Sequence, residues 1–215
     1  MKLLLLAALL STSLVAATPA LTYTRSFPGS DPDYIYIHID RTGALEYKES
    51  PKDDQPLKAQ LQDAETAPLF DMAGKLGYFK SPLESGLKVA NTGKKTFRYD
   101  NESGASTEVT FNYSTNETAQ ALLARFEEIA ATERAYIDLD RTVHFDKLGV
   151  NDALAEIESL WLHKQLVAPR QFLPLFTRIT SHESFMHLVR DRAARLNDEF
   201  TAPPPAGASA SQPPQ

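Results

Sequence analysis

Tyr34-Ile35-Tyr36-Ile37-His38-Ile39 alternates without a break. Three isoleucines share one face and Tyr34, Tyr36 and His38 share the other, the pattern of a strand with one side in a core. Asp40-Arg41-Thr42-Gly43 follows, an Asp-led turn with glycine where positive φ is needed. Ala44 to Lys48 then reads as the returning strand of a β-hairpin. Ser50 to Pro56 is polar and proline-punctuated, hence loop, and Leu57 to Leu61 adds a short edge strand.

Working outward, Asp63 is a fitting N-cap for a helix that carries Ala67, Leu69, Phe70, Ala73 and Leu76 and ends near Gly77. Beyond a longer connection, Phe97 and Tyr99 alternate with polar residues. After the Asp100 to Gly104 turn Val109, Phe111 and Tyr113 do the same, which predicts a second hairpin. Registering the hairpins gives one apolar face of Ile35, Ile37, Ile39, Phe97, Tyr99, Val109, Phe111 and Tyr113, which needs helices to cover it. The helix after Asp63 and a longer one from about Thr115, with Leu122, Phe126, Ile129 and Ala130 at helical spacing, supply the cover. The expectation is an α+β fold: a small antiparallel sheet of about four or five strands in the order β-β-(β)-α-β-β-α.

From Arg134 to Phe200 the composition is helical. One helix starts near Asn151, a short apolar segment carries Phe172, Leu175, Phe176 and Ile179, and Thr180-Ser181-His182-Glu183 reads as a capping box opening the last helix. The buried stripe expected there is Phe185, Leu188, Val189 and Leu196. The expected organisation is a leader over residues 1–20, an α+β domain over 21–133, a helical subdomain packed on it over 134–200, and a Pro/Ala/Ser-rich tail over 201–215, too poor in apolar groups to order itself.

Pro32-Asp33-Tyr34 entering a strand, Thr42-Gly43 at the hairpin, and Leu69-Phe70 through Lys75-Leu76 to Tyr78-Phe79 before the second hairpin together resemble a broad family of uncharacterised exported bacterial proteins, a domain of unknown function. The resemblance covers roughly residues 30 to 130. It implies an exported α+β domain and carries over no functional residues.

Lys2, the apolar run Leu3 to Leu10, and small residues at Val15-Ala16-Ala17 and Thr18-Pro19-Ala20 make a secretory leader cleaved after Ala17 or Ala20. The run falls short of the roughly 20 residues that span a bilayer, so no membrane span is expected once the leader is removed. The expected location is the periplasm or the exterior. The chain has no cysteine, which excludes a disulfide framework, a thiol nucleophile and an acylated lipoprotein cysteine. A formal net charge of -6 argues against nucleic-acid partners, which need clustered Lys and Arg. Sequons at Asn101, Asn112 and Asn116 read as turn and strand polarity.

His182 and His187 lie five apart and are rotated by about 140° on a helix, too far to share a metal ion. Gly93-Lys94-Lys95-Thr96 lacks the earlier glycine of a phosphate loop and precedes a strand, so its lysines read as a solvated strand start. No cofactor and no metal is expected. Two clusters remain. If the helix from Thr115 runs on unbroken, Glu133, Tyr136, Asp140 and His144 fall within about 40° of its apolar face. Asp140 and His144 could then orient each other as base and partner in a periplasmic hydrolase. The alternatives are a helix break near Ala131, or ion pairs of the stripe with Arg125, Arg134 or Arg141. Tyr34, Tyr36 and His38 lie on the second face of the sheet, where tyrosine offers area and a polar tip together, unless helices cover them. Without a nucleophile elbow, the favoured reading is a non-enzymatic binding or envelope-interaction module whose partner is another envelope or extracellular protein.

Overall fold

The computed structural model describes residues 17–202, so most of the leader and the tail from 203 lie outside the described residues. The described residues form six strands and five α-helices: β1 Ala20–Ser26, β2 Tyr34–Asp40, β3 Ala44–Lys48, β4 Leu57–Gln60, α1 Asp63–Lys75, β5 Lys94–Asp100, β6 Ser106–Phe111, α2 Glu117–Phe145, α3 Val150–Leu162, α4 Leu173–Ser181 and α5 His187–Thr201. The fold is α+β, and every neighbouring strand pair is antiparallel in the order β4-β3-β2-β1-β5-β6.

The sheet has one strand more than expected, and it is the central one. The two hairpins do not pair with each other; β1 lies between them, with Tyr23 opposite both Ile37 and Phe97. Leu21 and Tyr23 point into the core with Ile35, Ile37, Ile39, Leu45, Tyr47, Phe97 and Phe111. Tyr99 and Val109 are only half-buried at its margin, and Tyr113 lies beyond β6 and is exposed. Helices α1 and α2 cover this side through Leu69, Phe70, Ala73, Leu122, Phe126 and Ile129. The Phe126 ring stacks on Tyr23 at 5.0 Å; removing such a buried ring costs about 3–5 kcal/mol.

At the first turn Asp40 Oδ1 accepts from the amides of Thr42 and Ala44 and from the Thr42 hydroxyl. Gly43 sits at φ +84°, and a Cβ there would meet the Leu61 carbonyl at 2.4 Å. Gln62, not Asp63, is the N-cap of α1, and Glu65 accepts from its amide. After α1 the chain makes a left-handed turn, Gly77, Tyr78 and Phe79 having φ of 61°, 52° and 64°. Such a conformation costs roughly 1–2 kcal/mol per non-glycine residue. Burial of the Phe79 ring against Phe97 offsets it at one position.

Helix α2 is unbroken through Ala131, capped by Asn116, whose side chain accepts from the Ala119 amide. Its first half belongs to the sheet core. Its second half, with Ala135, Leu139 and Val143, joins a separate core of Leu154, Ile157, Phe172, Phe176, Val189, Leu196 and Phe200 from the later helices. The 133/134 boundary therefore falls inside one rigid element. Thr180 and Ser181 close α4 instead of capping α5, whose first helical residue is His187. Leu188 is exposed, outside the buried stripe of Val189, Ala193, Leu196 and Phe200.

Candidate functional site

The strand registers set which side chains share the second face of the sheet. One row across it reads Lys58, Glu46, His38, Thr22, Arg98, Glu108; the next reads Lys48, Tyr36, Thr24, Thr96, Thr110. Period-two alternation puts every one of these opposite the core side. None of them belongs to either hydrophobic core, and α1 and α2 occupy the other side. Tyr34, Tyr36 and His38 are half-buried by their strand neighbours. The Tyr36 ring lies parallel to His38 at 6.5 Å, with Lys48 Nζ over it at 5.5 Å. His38 Nδ1 pairs with the Thr22 hydroxyl at 3.0 Å, and Arg98 donates to Asp100 from Nε at 3.0 and 3.2 Å and from Nη2 at 2.8 Å. Partial burial raises the phenol pKa of Tyr34 and Tyr36, and Glu46 adds to the effect at Tyr36. The bond from Arg98 holds the Asp100 carboxyl below its ordinary value. The face is thus an ordered array of alternating charge around two tyrosines and a histidine.

The acidic stripe of α2 separates by depth. Glu133 is fully buried where the two cores meet. Gln171 Nε2 donates to its Oε1 at 3.1 Å, whereas Oε2 has no partner. Burial pushes the Glu133 carboxyl up to about 7, against a small lowering by Gln171. Beside it the Thr132 hydroxyl accepts from the Val167 amide at 3.1 Å, and Glu65 accepts from the Ala168 amide at 2.8 Å. Asp140 and His144 lie two to three turns further on, at the surface. His144 Nδ1–H donates to the Asp140 carbonyl at 2.8 Å and sits 3.4 Å from its Oδ1. The carboxylate and imidazole meet, but Glu133 is about 10 Å away along the axis by helical rise. Helical phase aligned the three, and the end of the second core left two of them in water. The arginines pair elsewhere: Arg125 with Glu128, Arg134 with Asp31, Arg141 with Asp138.

Two polar groups under the sheet escaped sequence reasoning. Lys95 is buried, not the solvated start of a strand. Its Nζ donates toward the carbonyls of Thr92, Gly93 and Asn112 and the Thr92 hydroxyl, at 2.8–3.2 Å. Desolvation lowers its pKa. Strand parity carried the signal, since Lys95 is two residues from the inward Phe97. Tyr23 donates to Glu127 Oε1 at 2.6 Å, and Arg25 donates to Oε2 at 3.0 Å. Burial first, then Glu127, raises the Tyr23 phenol. Lys95 shares its three protons among four acceptors and ties together the segments that flank β5 and β6, whereas Glu127, shared between two donors of β1, fastens α2 to the sheet. The sequon asparagines are likewise engaged, Asn112 with Thr92 and Ala90, Asn101 with its own turn and Asn116 as the α2 cap.

Among the described residues no three His, Asp or Glu side chains gather as a metal site, and no helix is long and apolar enough to cross a membrane. No family model, curated protein or solved structure matches the chain.

Proposed function

We propose that this chain is an exported, non-enzymatic binding module that offers the free face of its sheet to another envelope or extracellular protein. The observation that carries the reading is that, among the described residues, α1 and α2 cover only the opposite face of the sheet. Six strands present Tyr34, Tyr36, His38 and Arg98 on a rigid support, and nothing in the core requires those residue types. Tyrosine and arginine are the residues from which protein interfaces draw most of their binding energy. Alternating charge along the Lys58-to-Glu108 row supplies register and selectivity against wrong partners.

The hydrolase alternative has less support. Its acid is sealed in the interior, about 10 Å along the helix from an Asp140–His144 pair that lies at the surface. Export rests on the leader composition, and the geometry is compatible with it. The sheet needs the chain from Pro19 onward, because the Pro19 carbonyl accepts from the Arg41 amide and Ala20 pairs with Asp40 and Asp100. Processing after Ala17 leaves all of these in place.

A photo-crosslinking residue at Tyr36, in the cells that make the protein, tests the reading. A discrete protein adduct is expected at Tyr36 and none with the same residue at Thr177 on α4. No adduct at Tyr36, or adducts at both positions alike, overturns it. A fluorogenic hydrolase panel on the wild type, His144→Ala and Glu133→Gln closes the alternative: an activity lost in either variant would show an enzyme.

A further inference from the structure

The left-handed turn after α1 builds a groove. Its walls are Tyr78, Lys80, Tyr99, Asn101, Ala105 and Thr107, around a volume of about 450 Å³. That is within the range of small-ligand sites. Tyr78 and Tyr99 stack on one another with centroids 4.4 Å apart and planes 26° apart. Tyr78 is fixed at three points. Its backbone carbonyl accepts from the Thr107 hydroxyl at 2.5 Å. Gly74 of α1 brings the helix backbone close to the phenol, a Cβ there standing 3.5 Å from Tyr78 Oη. The turn itself is anchored by the buried Phe79. Phe79 is buried in the core, whereas Tyr78 is only half-buried at its margin, yet it adopts the same disfavoured conformation, and backbone strain of that kind collects at binding sites.

We infer that this groove binds a saccharide, one sugar ring stacking on the Tyr78–Tyr99 pair while its hydroxyl groups bond to Lys80, Asn101 and the two phenols. A pyranose has an apolar face of C–H groups that suits an aromatic ring, and a rim of hydroxyls that each both donate and accept. The rim of the groove matches. Among the described residues, neither phenol oxygen, nor Lys80 Nζ, nor Asn101 Nδ2 has a hydrogen-bond partner. Asn101 Oδ1 is committed to the amides of Ser103 and Ala105, which fixes the direction in which Nδ2 points. The groove is open to solvent on one side, so a purely apolar aromatic ligand would lack an enclosing wall. Tyr99 belongs to the helix-facing side of β5, so this site is separate from the free sheet face and stands or falls independently of it.

An amide-resolved NMR titration of the purified exported chain tests the inference, with cellotriose and N-acetylchitotriose as probes and indole as the aromatic control. The expected result is a saturable shift, with one of the two sugars, of amides in 77–80 and 99–107, at a Kd of about 1 mM or below. Asn101→Asp retains the Oδ acceptors that hold the turn and removes the outward donor. With an unchanged amide spectrum elsewhere it should weaken binding by about tenfold, and Tyr99→Leu should abolish it. No saturable shift with either sugar, binding of indole alone, sugar shifts on 34–38 instead, or unaltered affinity in Asn101→Asp would each overturn the assignment.

Discussion

Glu133 ties the stability of this protein to pH in a direction opposite to that of most carboxylates. Its pKa lies at about 7 in the folded chain, against an ordinary 4.5, because burial removes water from the charged form and only Gln171 offers compensation. That gap corresponds to about 3 kcal/mol of preference for the neutral carboxyl. The folded chain therefore holds this proton more tightly than the unfolded chain does. The contribution is fully present below about pH 4.5 and is lost as pH rises to about 7. Glu133→Gln removes the titration while keeping the shape and the acceptor for Gln171. Its amide nitrogen takes the place of the unpaired Oε2, at a pH-independent cost of about 1–3 kcal/mol. Urea unfolding of both proteins from about pH 4 to pH 9 isolates the carboxyl, since every other titrating group is common to the pair. The stability of the variant relative to the wild type should rise by about 3 kcal/mol across that interval, or about 6–12 °C in Tm for a chain of this size. A difference that stays flat would show that Glu133 titrates in the folded chain at its ordinary value, with the desolvation argument at fault.

Lys95→Met keeps the stem but leaves the carbonyls of Thr92, Gly93 and Asn112 without their shared donor, and should cost about 2–3 kcal/mol in a urea midpoint; a neutral outcome would mean that water replaces the ammonium. Gly43→Ala places a methyl group 2.4 Å from the Leu61 carbonyl at a positive φ, and a loss of about 2–4 kcal/mol is expected. Because α2 contributes to both cores, calorimetry should record a single transition and limited proteolysis one resistant core. Early cutting at Arg134 or Arg141 into two independently melting fragments would contradict this. The proposed export, taken with the pairing of Ala20 in β1, places the first residue of the mature protein at Thr18 by intact mass; a retained Met1 would count against export, and a start at Leu21 against the observed register.

Much of the layout was legible in the chain, because it rests on local periodicity. Tyr34 to Lys48 reads as a hairpin from alternation and an Asp-Gly turn alone, and Leu122 to Ala130 as a helix from its apolar spacing. The central strand was not legible. Leu21-Thr22-Tyr23-Thr24 offers only two inward residues, directly after an apolar leader that absorbs them. What places this strand between the two hairpins is pairing with residues as distant as Ile37 and Phe97, a long-range choice that no local pattern encodes. Depth was equally hidden. The helical phase of Glu133, Asp140 and His144 follows from their spacing, but where the second core ends along α2 depends on where α3, α4 and α5 pack. Likewise the left-handed turn at Tyr78 has no signature beyond Gly77; only the burial of Phe79 and the stacking on Tyr99 hold it in place. Periodicity is a property of neighbours in the chain, whereas burial, register and strain belong to neighbours in space.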